Sequence, residues 1–578
     1  MKFIQASNFS KLFCFITCLC LLNLSHSANY AEKPSGYAVA SANPLATSAG
    51  LEILALGGNA FDAAVAVSAA LAVVEPYHSG LGGGGFWLLH QAKTNKNIFI
   101  DGRETAPLAA KEDMFLDESG NPKSGLSLNG GLAAAIPGEP AALALIANRF
   151  GRLPLSQTLA PAIRLAEFGF PVDEHFNHFV MMEDRLSQMQ RYKATAAIFL
   201  KDGKPYKIGD LLIQRDLANT LRIIAKLGHD GFYRNAVAKH LVDSVNKAGG
   251  NWTEKDLALY QVKIREPLVS NFHDVKIITA PLPSAGGVGL VTMLNILTDY
   301  PLRSLSKVLR VHYLVEAMRL SYWQRSNLLA DPDFVKVPLK QLLSLENTKY
   351  LRSLIKPRHA TPSDSLPSKS SNNKTSSTTH FSIIDSDGNR VAATLSINYI
   401  FGSSVVADGT GVLLNDEMDD FTVKVKEKNV FGLVGGEKNL IAPAKRPLSS
   451  MTPTFLEMPG RVAILGTPGG SRIPTMVLIA SLLFSEDYGA ISMVSAMRFH
   501  HQYLPDWLQF EPDTFSVEEQ KELQNLGYKL APLQAYYGDM QAITWDKEQN
   551  LITAASDPRN IGRATKVIER QGGYGLMH

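Results

Sequence analysis

A hydroxyl residue that opens a strand directly after a polar, proline-rich stretch is chemically suggestive. The sequence contains one at Ser377–Thr378. Attack of the Thr378 hydroxyl on the Ser377 carbonyl would turn the peptide bond into an ester, and hydrolysis of that ester would free an α-amine on Thr378. Such an amine has an unperturbed pKa of about 7.7–8.0. At neutral pH it can therefore act as the base for the hydroxyl of its own residue. Before cleavage the nitrogen is an amide with no basicity, so the uncut chain would be an inactive precursor. Taken alone, the same pattern also describes a plain linker leading into an ordinary Thr-rich strand.

Three other clusters invite a nucleotide or metal reading and do not support it. Gly80 to Gly85 satisfies the spacing G-x-G-x-x-G, but a dinucleotide loop needs a strand before it and a helix after it. Here a helical stretch precedes and a strand-like stretch, Phe86 to His90, follows. His500 and His501 are adjacent, so they point in different directions, and no ligand triad accompanies them. The acidic run Asn415 to Asp420 lacks the ligand spacing and glycine of a calcium loop. No metal and no cofactor is expected. Asn251-Trp-Thr253 and Asn373-Lys-Thr375 are glycosylation sequons, meaningful only in a eukaryotic secretory route.

The elements that must position Thr378 are legible around it. Residues 357–377 are polar and proline-rich, and such a segment buries too little apolar surface to offset ordering entropy, so mobility is expected. Thr378 to Asp385 reads as a strand, Ser386 to Asn389 as a turn and Arg390 to Asn398 as the returning strand. Asp-Gly between two strand-like runs is a strong hairpin signal. Upstream, a helix is predicted to end at Gly57-Gly58. A second, opened by Asn59 and Asp62, is apolar on nearly all sides to Val74 and stops at Pro76, so it belongs inside the protein. Between 130 and 355 helices are expected at 139–148, 155–168, 217–227 and 235–248, without a recognisable chemical motif. One more is expected near 474–484.

Composition narrows the class. The net charge of +3, from 57 basic and 54 acidic side chains among 578 residues, is too balanced for a nucleic-acid binder. The three cysteines, Cys14, Cys18 and Cys20, lie within seven residues and cannot staple a fold of this length. They sit in a leader: Lys2 and Lys11 precede an apolar run, Leu12 to Leu24, followed by small residues. The run is shorter than the roughly 20 residues a membrane span needs. Cleavage is expected after Ser27, which removes every cysteine and directs the chain to the periplasm or outside the cell.

The motifs along the rest of the chain resemble the γ-glutamyltransferase family. Those after the junction are Thr378-Thr379-His380, Gly388-Asn389, Gly411 to Phe421, Gly432 to Gly436, Arg446 to Met451, Gly469 to Arg472, Arg498 to Gln502 and Ser556 to Arg559. Before it come Gly57 to Ala64, Gly80 to Phe86 and Ala135 to Gly138. The resemblance implies a mixed α/β (α+β) fold, the four-layer αββα sandwich of N-terminal-nucleophile hydrolases. It also implies self-cleavage at Ser377/Thr378 into a large subunit, 28–377, and a small one, 378–578, which stay together as a heterodimer. The implied substrates are glutathione and other γ-glutamyl compounds, with water or acceptor amino acids and peptides resolving a γ-glutamyl ester on Thr378. Arg103 matches the arginine for the α-carboxylate, with Ser449 and Ser450 completing that pocket. Asn398, Glu417 and Asp420 match the positions facing the α-ammonium. Gly469 and Gly470 match the oxyanion hole, where glycines let backbone N–H groups approach a developing charge.

Two positions depart from the family pattern. Thr394 and Ser396 lie where the family places hydroxyls near the nucleophile, and Ser396 stands in place of the usual Thr. Asn429 to Pro443 matches the lid loop of lidded bacterial members, with Phe431 where Tyr is common, so lid closure is expected to be looser. Within the same superfamily a cephalosporin or glutaryl acylase is the rival. Asp420 argues against it, since a glutaryl group has no ammonium to pair with. A binding protein that keeps the fold and never cleaves is the rival from another class.

Overall fold

A computed structural model of the protein describes residues 30–366, 377–570 and 573–577. The expected leader and residues 367–376 of the expected linker, with the sequon at Asn373, lie outside the described residues.

Two antiparallel sheets form the centre. The strands of the first are β1 (Gly36–Ser41), β2 (Gly84–Gln91), β3 (Lys96–Gly102), β4 (Lys263–Arg265), β7 (Thr379–Ile384), β8 (Arg390–Ser396), β13 (Arg563–Arg570) and β14 (Gly573–Met577). Those of the second are β5 (Leu268–Phe272), β6 (Val275–Thr279), β9 (Thr454–Met458), β10 (Arg461–Gly466), β11 (Gln541–Asp546) and β12 (Leu551–Ser556). The first sheet runs β14-β13-β1-β7-β8-β2-β3-β4 and the second β12-β11-β10-β9-β6-β5. Helices α1 (Pro44–Ala55), α2 (Ala60–Val74) and α3 (Glu139–Phe150) cover the outer face of the first sheet. Helices α4 (Ala285–Leu297), α5 (Lys307–Leu328) and α6 (Ile473–Ser485) lie on the outer side of the second. The result is the expected α/β/β/α sandwich.

Strand alternation divides the core. Tyr37, Val39, Trp87, Leu89, Phe381 and Ile383 pack toward α1–α3. Ala38, Ala40, Phe86, Leu88 and Ile384 face the second sheet. The predicted hairpin is present: β7 pairs with β8 from Thr379↔Leu395 to Ile384↔Arg390, and Gly388 takes φ +89° in the turn. Its Asp385 carboxylate accepts from the Ala60 N–H at 2.8 Å, fixing the turn to the start of α2. Helix α2 carries a capping box between Asn59 and Asp62 and is buried along its whole length, as its all-round apolar sequence requires.

Two expectations need correction. The helix expected over 155–168 is two helices, Leu155–Thr158 and Ala160–Phe168. Pro161 has no N–H to continue the first ladder and takes its place in the opening turn of the second. The expected mobile stretch is anchored from Ala360 to Leu366. Ala360 N–H donates to the Leu526 carbonyl at 2.7 Å, Ser363 N–H to Asp506 at 3.0 Å, and Ala360, Ser363 and Leu366 are buried. Backbone hydrogen bonds to neighbouring elements hold a segment whose own side chains offer little apolar surface.

Candidate active site

Thr378 stands at the mouth of β7, with its side chain on the same face as His380 and Ser382, between the two sheets. Its hydroxyl donates to the Ser377 carbonyl and lies 3.4 Å from the Ser396 hydroxyl. The Thr378 hydroxyl and the carbonyl it is expected to attack are therefore in contact. Ser396 in turn accepts the Asn398 N–H at 2.9 Å. Asn398 sits at φ +73°, a left-handed conformation that Asn tolerates better than most residues.

A narrow pocket of about 20 Å³ lies beside this hydroxyl. It is lined by Arg103, Thr378, Ser396, Asn398, Glu417 and Asp420, with Phe431, Ser449, Ser450, Met451, Gly470 and Ile473 closing it. Nine expected site residues thus meet at one place from segments far apart in sequence. The Arg103 guanidinium donates to Glu417, to Asp420 at 2.5 Å and, through Nε, to the Pro447 carbonyl at 3.2 Å. Burial opposes its charge, but the Glu417, Asp420 and Glu104 carboxylates outweigh burial and hold it protonated. Burial pushes Glu417 up to about 7 even though Arg103 pulls it down. Asn398 donates its side-chain N–H to the Asp416 carbonyl at 3.0 Å. That leaves two buried acceptors without a partner at this pocket, Asn398 Oδ1 and Glu417 Oε2. Ser449 is fixed through its N–H to the Pro283 carbonyl at 2.9 Å, and its hydroxyl accepts the Met451 N–H at 3.1 Å.

Two expected residues stand outside the pocket lining. Thr394 lies one pleat beyond Ser396 and bonds to His380 Nδ1 at 2.8 Å, not to Thr378. Gly469 faces the neighbouring cavity that holds Glu75, Tyr77 and Asp539, while Gly470 faces the pocket. Both glycines have positive φ, +139° and +53°, and they lead into α6, whose N-terminal N–H groups favour negative charge nearby.

The lid segment closes over the pocket. Phe431 is buried. Gln502 donates to the Phe431 and Gly432 carbonyls at 3.3 and 3.1 Å and accepts the Ser471 hydroxyl at 2.8 Å. One side chain thus ties the lid to the loop that follows Gly470. The rejected motifs have structural explanations. A Cβ on Gly83 would lie 2.2 Å from the Ser396 carbonyl, so this glycine permits strand contact, not phosphate binding. His500 is engaged by Thr475 and Gln502, and His501 by Asp506 and Tyr503. Among the described residues no group of His, Cys, Asp and Glu could hold a metal ion.

Residues 46–567 match the family described as gamma-glutamyltranspeptidase. The chain belongs to that family. Among gamma-glutamyltranspeptidase relatives, the glutathione hydrolase proenzyme of Pseudomonas sp. (strain A14) is 42% identical over 90% of this chain and 92% of its own. That of Escherichia coli (strain K12) is 40% identical over 91% of each chain. Among solved structures, cephalosporin acylase from Bacillus halodurans superposes with a TM-score of 0.80 at 26% identity, covering 98% of this chain and 99% of that one. Helicobacter pylori gamma-glutamyltranspeptidase gives 0.55 at 38% identity, covering 57% of this chain and 97% of that one.

Glu75, Tyr77, Gly466 and Gln502 carry no chemical signal of their own in the sequence. Each acts through a contact distant in sequence. A Cβ on Gly466, for example, would lie 2.3 Å from the His380 ring, and no local pattern announces that.

Proposed function

We propose that this member of the gamma-glutamyltranspeptidase family cuts itself between Ser377 and Thr378 and then transfers γ-glutamyl groups from glutathione and related compounds to water or to acceptor amino acids and peptides. The observation that carries this is the Thr378 hydroxyl, which meets the Ser377 carbonyl while opening onto a pocket that pairs one arginine with two acids. In self-cleavage Thr378 Oγ bonds to the Ser377 carbonyl carbon, the C–N bond breaks, and the hydroxyl proton ends on the departing nitrogen. Water then splits the ester, leaving a carboxylate on Ser377 and restoring the hydroxyl. The freed amine, as a base, takes that proton again when the hydroxyl attacks a γ-carbonyl. The first product leaves as an amine, and water or a second amine releases the γ-glutamyl group from Thr378. The N–H groups of Gly469 and Gly470 serve the oxyanion of each step, a contribution worth about 10²–10³ in rate per donor. No cofactor enters this sequence.

The charges that line the pocket suit a zwitterion. Buried charges left unpaired are costly, and here Arg103 is paired with Glu417 and Asp420. An α-carboxylate takes over the guanidinium fork, with Ser449 and Ser450 beside it, and an α-ammonium takes over the two acids and the free Asn398 oxygen. A zwitterion adds one charge of each sign, so the net charge of the site is unchanged and every charge keeps a partner. A glutaryl group would supply the carboxylate and leave Glu417 and Asp420 without a cation. This separates the proposed activity from that of the cephalosporin acylase the fold resembles. The mature form comprises residues 28–377 and 378–578, exported through the leader to the periplasm or beyond. No helix of the described residues is long and apolar enough to cross a membrane.

N-terminal sequencing of the smaller fragment tests the reading. It should begin at Thr378, and Thr378→Ala should abolish both scission and turnover. A different first residue, or a cleaved and active Thr378→Ala chain, defeats it. γ-Glutamyl anilide should be turned over and glutaryl anilide should not; the reverse would favour the acylase.

A further inference from the structure

Helix α2 ends at Glu75, its C-cap, and the chain passes through Pro76 to Tyr77. This short segment holds both neighbours of the bond proposed to break. The Ser377 hydroxyl donates to the Tyr77 carbonyl at 2.6 Å, and the Thr379 hydroxyl donates to Glu75 Oε2 at 2.9 Å. Thr378, between them, is bound by neither contact. Strand alternation explains the division: Thr379 points toward α2 with Phe381 and Ile383, and Thr378 points into the space between the sheets with its hydroxyl on the Ser377 carbonyl.

We infer that Glu75 and the Tyr77 carbonyl form a clamp that positions the Ser377–Thr378 bond for self-cleavage, with Glu75 as a positioning residue acting through Thr379. The inference rests on the proposed self-cleavage. A peptide bond is attacked by an adjacent side chain only when its carbonyl carbon lies within reach of the oxygen, and a residue free to rotate at either side loses that geometry. The clamp fixes residue 377 through its side chain and residue 379 through its own, leaving the Thr378 side chain as the one free to react. Scission separates the two contacts: Tyr77 holds the residue that becomes the end of the large fragment, and Glu75 holds the second residue of the small one. The Glu75 contact therefore persists in the cut enzyme and keeps the nucleophile's strand in register. Burial raises the Glu75 carboxyl to about 8 although the Thr379 hydrogen bond lowers it, so at neutral pH the group is largely neutral and a glutamine can replace it.

The test is a pulse–chase time course of scission in the full-length chain, read on denaturing gels, with kinetics of whatever matures. Thr379→Val keeps the side-chain shape and should slow scission about tenfold, the loss of one buried hydrogen bond. Glu75→Ala should slow it to a similar degree, and combining the two should add little. Glu75→Gln and Thr379→Ser should restore the rate to within about twofold of the parent. In the matured Thr379→Val enzyme kcat should fall with KM for the donor unchanged, because neither residue lines the γ-glutamyl pocket; a merely structural lesion would move both. Scission of Thr379→Val at the parent rate overturns the clamp, as does Glu75→Gln slowed as much as Glu75→Ala. Should Glu75→Ala not fold, Thr379→Val against Thr379→Ser decides alone. Cleavage of Thr378→Ala would instead defeat the self-cleavage reading itself.

Discussion

At the level of single residues, the proposed γ-glutamyl pocket would bind its substrate according to its protonation state. Glu417 is raised to about 7 by burial, against the pull of Arg103, and it would pair with the proposed ammonium as a full charge only when ionised. A raised carboxylate pKa means that the charged form gains ground as pH rises through it. KM for a γ-glutamyl donor should therefore fall between pH 6 and 8, within about one unit either side of that value, and Glu417→Gln should flatten the dependence. The α-amine that the proposed cut would free on Thr378 has an ordinary pKa of about 7.7–8.0 and would report in kcat, so the two would be separable by full saturation curves at each pH. Arg103 contributes geometry as well as charge, since three of its nitrogens are engaged at once. Arg103→Lys keeps the charge and loses the fork, and donor KM should rise about ten- to a hundredfold, the range expected for charge-assisted hydrogen bonds.

Among elements, the hairpin and the segment around Phe431 decide whether Thr378 and its cover are in place. Gly466 lies on the second sheet against His380, and burial drives that imidazole down to about 3, so it stays neutral beside Thr394. Gly466→Ala should cost about 1–3 kcal/mol by overpacking, visible in denaturant unfolding of a Thr378→Ala background. Phe431→Tyr adds a hydroxyl over the closed pocket, and donor KM should shift; an unchanged KM would show that the lid's backbone ties to Gln502, not the ring, determine closure. These elements differ in how openly the sequence shows them. The hairpin was legible because Asp-Gly and period-two alternation are local, and α2 because a capping box precedes an apolar run. The break before Pro161 has a local signal in that proline, although the apolar pattern runs through it. The site residues were legible through motif order, since spacing alone would not bring Arg103 to Glu417 across more than 300 positions. Glu75 and Gly466 left no local signal, because their reason for being there is a partner hundreds of residues away or on the opposite sheet.

For the molecule as a whole, the order of strands matters more than their number. In the first sheet β1 from before the junction lies between β13 and β7 from after it, and β8 pairs with β2. In the second sheet β6 pairs with β9 across the same divide. Cutting after Ser377 leaves all these ladders intact, so the fragments 28–377 and 378–578 should co-elute in gel filtration and part only in denaturant. What the cut changes is the return journey. An unbroken chain regains this weave by an intramolecular search, whereas two separate polypeptides must first find each other at a rate set by their concentration, each exposing unpaired strand edges meanwhile. Thr378→Ala protein should refold after dilution from denaturant with a yield that does not improve as it is concentrated. The cut form should recover poorly, so its useful lifetime on warming will be governed by how fast it first comes apart and not by any reversible balance.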